Sequence, residues 1–126
     1  MIVVDSCGWI AWLVGGGRAE AYAPLLRMPD THVVVPTIVL FEVTRWVDRQ
    51  HGAQRAREVA ALLRSRTVVP LHDHVALLAV ELSRRHQLAT ADALVYAHAQ
   101  ALHINLATSD AAFSGLPAIH FVAPSA

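Results

Sequence analysis

The tightest constraint on this chain is a set of short, unbroken apolar runs. Ile2-Val3-Val4 ends at Asp5-Ser6, Val33-Val34-Val35 ends at Pro36, and Thr67-Val68-Val69 is a third run of the same kind. Three consecutive β-branched residues without polar alternation read as strands buried on both faces, which is the signature of a parallel sheet. Ile104-Asn105-Leu106-Ala107 and Ile119-His120-Phe121-Val122 supply two more strands. Between the runs, apolar residues recur at helical spacing. Trp9, Ile10, Trp12 and Leu13 do so until Gly15-Gly16-Gly17 stops them, and a second helix is expected over 18–27. Thr37 is expected to cap a helix carrying Val39, Val43, Trp46 and Val47, and Gly52 separates it from a helix over 53–64. Ala76, Leu77, Val80 and Leu82 form the expected apolar side of a helix begun at Asp73, and a last helix runs from Thr90 to Leu102. Strands alternating with helices imply one α/β sandwich, a parallel sheet with helices on both faces. With 126 residues, the chain has the length of one domain, residues 1–126.

Composition narrows the chemistry. The chain is 55% hydrophobic and 16% charged, richer in apolar residues than an average domain. Two readings stay open: a surface meant for a partner, or a dense core built from Ala-rich helices. No stretch reads as a membrane span, no signal peptide is evident, and the lone Cys7 excludes an internal disulfide framework; a cytoplasmic protein is expected. Net charge is zero, so global electrostatics do not announce a nucleic-acid partner. All ten basic residues are Arg. Without a Lys, the Walker-A, Schiff-base and protein-kinase chemistries are excluded, and the three glycines are a turn rather than a phosphate loop.

Ligands of open α/β sheets gather beyond the carboxyl ends of the strands. Four acidic residues fall there. Asp5 ends the first strand, Asp110 follows the fourth, Glu42 lies one or two turns into the helix after the second, and Asp92 sits in the first turn of the helix entered at Thr90. Each alone has a plain structural explanation, as a cap, a dipole partner, a mate for Arg45 or Arg49, or a turn residue. Together they are harder to dismiss. Glu42 stands in the apolar setting Val39-Leu40-Phe41-Glu42-Val43, where an unpaired carboxylate is expensive. Carboxylates converging on one cleft repel one another, and a hard divalent cation such as Mg²⁺ or Mn²⁺ removes that penalty. A metal site is therefore expected, with one ion or two.

Val4-Asp5-Ser6, Leu40-Phe41-Glu42-Val43, Thr90-Ala91-Asp92-Ala93-Leu94 and Leu106-Ala107-Thr108-Ser109-Asp110-Ala111-Ala112-Phe113 resemble the PIN-domain nucleases, and more narrowly the VapC toxins of bacterial toxin–antitoxin pairs. The order and spacing match over nearly the whole chain. The resemblance implies a sheet order of 3-2-1-4-5 and an acidic quartet of Asp5, Glu42, Asp92 and Asp110 around Mg²⁺ or Mn²⁺. It also implies an RNA substrate, a cognate antitoxin whose tail blocks the acidic site, and a homodimer. Ser6 and Thr108 match small hydroxyl positions that support the carboxylates. Cys7 departs from the family, which commonly has a hydroxyl or amide residue there.

The expected activity is hydrolysis of an RNA phosphodiester by metal-activated water. Asp5 and Asp92, with Asp110 for a second ion, are the expected metal ligands, and Glu42 or Asp110 would orient or deprotonate the water. Arg45 and Arg49, on the helical face of Glu42, are candidates for phosphate contacts, with Arg84 and Arg85 weaker ones. The rival reading is a non-catalytic PIN scaffold that holds RNA or protein, although all four acidic positions are filled. Other chemistries fail on their own residues. His72-Asp73-His74 has no second pair at zinc spacing, Leu13 stands where a cysteine phosphatase needs Arg, and Cys7 stands where aspartyl-phosphate hydrolases carry a second Asp. Trp9, Trp12 and Trp46 are expected in the core or at an interface.

Overall fold

A computed structural model describes residues 1–123; the last three residues of the expected domain lie outside the described residues. Five parallel strands form one sheet: β1 (Ile2–Val4), β2 (Val33–Pro36), β3 (Thr67–Val69), β4 (Asn105–Thr108) and β5 (Ile119–Phe121). Their order is β3-β2-β1-β4-β5, as expected. β1 sits at the centre, with Ile2 opposite Val33 on one side and Asn105 on the other. Every residue of β1 and β2 is buried, so both faces of the central sheet are covered. The edge strands β3 and β5 are partly exposed, which accounts for the His and Thr they tolerate.

Six helices connect the strands: α1 (Ser6–Val14), α2 (Ala19–Leu26), α3 (Thr37–His51), α4 (Ala53–Arg64), α5 (Asp73–His86) and α6 (Thr90–Ala101). They complete a three-layer sandwich, with α1 packed on α2 and α3, α3 on α4, and α5 on α6. Gly15 ends α1 in the left-handed conformation, with φ +70°, that glycine adopts without strain. Gly52, at φ +90°, forms the corner between α3 and α4.

Two sequence expectations are corrected. Thr37 does not cap its helix; Pro36 holds the extended cap position without a side-chain hydrogen bond, and Thr37 is the first helical residue. The apolar side of α5 consists of Val75, Ala79 and Leu82, whereas Leu77 and Val80 point to solvent at 71% and 63% exposure. Seven of the eight residues from Val75 to Leu82 are apolar, so their periodicity does not single out one face. Phe41 is similarly exposed, at 55%. The apolar excess thus has two destinations: small residues inside α6 (Ala93, Ala97, Ala99) and large ones on the surface.

Candidate active site

Asp5 follows the last residue of β1 and begins α1. Its backbone is extended, so its side chain turns back over the helix entrance and accepts a hydrogen bond from the Ser6 amide at 2.8 Å. Asp5 is the cap of α1. Its other oxygen accepts from the Thr108 hydroxyl, also at 2.8 Å. Thr108 is fully buried at the end of the neighbouring strand β4, and its oxygen in turn accepts from the Asp110 amide at 3.0 Å. One threonine therefore fixes both the first and the fourth acid. Asp110 caps a 3₁₀ turn (Ala111–Phe113) by accepting from the Ala112 amide.

Asp5 is only 4% exposed, yet no cationic side chain is paired with it among the described residues. Burial pushes its pKa upward; the Thr108 and Ser6 hydrogen bonds pull it back, and the Asp110 charge adds to the rise. Glu42, in the second turn of α3, is also raised, first by burial and then by the charge of Asp5, with the Ser6 hydroxyl and Arg45 opposing. Asp92 is raised to about 6, by burial and then by Asp110, Asp5 and Glu42 in turn. Asp92 thus feels the charges of the other three acids, although the end of β1, α3, α6 and the segment after β4 carry the four separately. Among the described residues no three His, Cys, Asp or Glu side chains stand as a closed ligand group. The acids approach one another without yet converging on a single point.

The Cys7 thiol lies 3.7 Å from Asp5 Oδ2 and 3.6 Å from Thr108 Oγ1, so it occupies the space of a hydroxyl with weaker hydrogen bonds. Burial and the Asp5 charge raise its pKa, which keeps it a thiol and argues against a nucleophilic role. Arg45 and Arg49 border a cavity of about 280 Å³ beside Glu42. Arg85 instead pairs with Glu81, and Arg84 lines a separate concavity with Thr90. A larger concavity, about 570 Å³ between α3 and α4, is lined by Phe41 and does not include the four acids.

Two supporting residues escaped the sequence reading. Tyr22, fully buried on α2, shares a 2.6 Å hydrogen bond with Ser109, the residue between Thr108 and Asp110. Its ring fits only because residue 8 is glycine: a Cβ there would lie 2.4 Å from Tyr22 Cε1. The bond spans 87 positions of sequence, and no local pattern announces it.

A parallel α/β sandwich with acids gathered at the carboxyl ends of its central strands defines the class, and the comparisons agree: residues 2–118 match the PIN domain, and the chain belongs to that family. Among solved structures, it is similar to a toxin–antitoxin complex from Klebsiella pneumoniae, with a TM-score of 0.82, 25% identity, and coverage of 99% of this chain and 100% of that one. It is also similar to VapC20 of Mycobacterium tuberculosis, described as a Sarcin-Ricin loop cleaving toxin, with a TM-score of 0.75, 25% identity, and 93% and 95% coverage. VapBC2 from Rickettsia felis, solved with a DNA fragment from its promoter, shares the fold at a TM-score of 0.73 and 16% identity over 99% and 100% of the two chains. No curated protein sequence gives a significant match.

Proposed function

We propose that this chain, taken as one PIN domain over residues 1–126, is a metal-dependent endoribonuclease and the toxin of a toxin–antitoxin pair. The observation that carries the reading is the gathering of Asp5, Glu42, Asp92 and Asp110 at one end of the sheet, where burial first, and then the charges of Asp110, Asp5 and Glu42, raise Asp92 to about 6. A protein gains nothing in stability from four such groups around one cleft; a ligand that neutralises them gives the arrangement its purpose. The donor set consists of hard oxygen atoms, which suits Mg²⁺ or Mn²⁺.

In this reading Asp5 and Asp92 hold the cation, and Asp110 joins them or serves a second ion. Thr108 and the Ser6 amide keep the Asp5 oxygens oriented. The bound cation would lower the pKa of a coordinated water and neutralise charge growing on the phosphate. Glu42, with its raised proton affinity, accepts the proton of the attacking water, a role Asp110 shares. Arg45 and Arg49 take phosphates of the RNA strand. The similarity to toxin–antitoxin complexes supports a cognate antitoxin as protein partner. Exposed Leu77 and Val80 provide apolar surface of the kind a homodimer covers. No described helix is long and apolar enough to cross a membrane, and a cytoplasmic location is part of the proposal.

The test is incubation of the purified chain with RNA, with and without Mg²⁺ or Mn²⁺. Cleavage should require the metal and fall by about 10³-fold or more in Asp5→Asn. A correctly folded wild-type chain that binds RNA and never cuts it would favour the non-catalytic scaffold instead.

A further inference from the structure

The cavity beside Glu42 is built from one stripe of α3 facing α1. Glu42, Arg45, Trp46, Arg49 and Gln50 follow one another at helical spacing, and Ile10 on α1 closes the opposite wall. Hydrolysis at the acids makes no use of Trp46, Gln50 or Ile10. Trp46 is half-buried: its ring packs on the core and still borders the cavity. Among the described residues neither Arg45 nor Arg49 lies within ion-pair distance of a carboxylate; the Arg45 guanidinium instead lies over the Phe41 ring at 4.9 Å. The α-carbons of the two arginines stand about one helical turn apart, roughly 6 Å of rise.

Each wall component has a counterpart in a nucleotide. An indole offers a face to any base, and base–aromatic stacking is a main source of single-strand affinity. A Gln amide carries both donor and acceptor atoms and can read a base edge. Guanidiniums outside close ion pairs suit phosphate oxygens. The volume, about 280 Å³, lies at the lower end for ligand cavities, so it suits one nucleotide rather than a duplex.

We propose that this cavity is a subsite for one nucleotide of single-stranded RNA adjoining the scissile phosphate. Its base stacks on Trp46 against Ile10, Gln50 reads the base edge, and Arg45 and Arg49 hold its phosphate. The proposal rests on the nuclease reading above and adds the determinant of substrate choice.

The experiment compares wild type, Trp46→Ala, Trp46→Phe, Gln50→Ala and Asp5→Asn on a mixed-sequence single-stranded RNA. Steady-state rates, sequenced cleavage ends and fluorescence-polarisation binding are read together, with circular dichroism to verify folding. Trp46→Ala should raise KM about tenfold with little change in kcat, and Trp46→Phe should recover most of that loss. Gln50→Ala should flatten the base preference next to the cut. If Trp46→Ala does not fold, Trp46→Phe and Gln50→Ala carry the test. Unchanged KM and cut-site profile in folded variants, alongside an inactive Asp5→Asn, would overturn the subsite and leave the nuclease reading intact. If wild type cuts no RNA, the nuclease reading fails, and binding that is equal in wild type and the Trp46 and Gln50 variants would sink the subsite too.

Discussion

Val4 and Asp5 are adjacent in sequence and almost equally hidden, at 0% and 4% exposure, yet burial has opposite consequences for them. Val4 lies among Val3, Val34, Val35 and Leu106 in the sheet core, where apolar surface removed from water contributes about 25 cal/mol per Å². Asp5 brings a carboxylate into the same shelter, with three hydrogen bonds, one of them a weak one from the Cys7 thiol, and no cationic partner among the described residues. The three residues of β1 lie wholly in the core, and the residue after them brings an ionisable group into it. The sheet is therefore the platform whose stability allows an unfavourable cluster of acids to persist at its carboxyl edge.

Substitutions on the two sides of that boundary should separate sharply. Val34→Ala, in the fully buried centre of β2, should destabilise the chain by about 2–3 kcal/mol, measured by urea unfolding. Metal affinity at the acids should stay unchanged once the variant is folded. A loss below about 0.5 kcal/mol would mean that the valine core does not hold the platform. Gly8→Ala tests the seam between the two regions. The added methyl meets the Tyr22 ring, so a smaller loss of about 1–2 kcal/mol is expected. Unlike Val34→Ala, it should also lower activity, because Tyr22 leaves Ser109 and the segment carrying Asp110 loosens. Gln87→Gly lies far from both regions in role. Gln87 closes α5 in the left-handed conformation, at φ +54°, so glycine should stabilise by up to about 1 kcal/mol without touching activity.

The same division explains what was legible in the sequence. β1, β2 and β3 could be read because short valine-rich runs bounded by polar residues have few other uses, and β4 and β5 from short apolar stretches later in the chain. Asp5, Glu42 and Asp110 could be placed because each follows a strand at a short offset, and Asp92 because it stands in the first turn of a helix. α5 was misread: apolar residues around most of its circumference leave no periodic contrast, and only packing against α6 decides that Val75, Ala79 and Leu82 turn inward. The cap at Pro36 was missed because extended backbone alone starts that helix, leaving Thr37 inside it. Tyr22 and Ser109 meet only after folding, as do Trp46 and Ile10 across the cavity. Long-range pairs of this kind leave no spacing to recognise.

The central claim, that the acids form one coupled group awaiting a divalent cation, is tested most directly by thermal unfolding against pH with and without Mn²⁺. The folded-state pKa of Asp92 is about 6, above its unfolded value of 3.8, so the folded chain binds more protons than the unfolded chain between those limits. Without metal, stability should therefore fall as pH rises from about 4 to about 6 and level off above. Asp92→Asn should remove much of that slope. Near neutral pH, millimolar Mn²⁺ should raise Tm in wild type by several degrees, and by much less in Asp5→Asn or Asp92→Asn. An equal metal-induced shift in all three proteins, or none in wild type, would contradict the account.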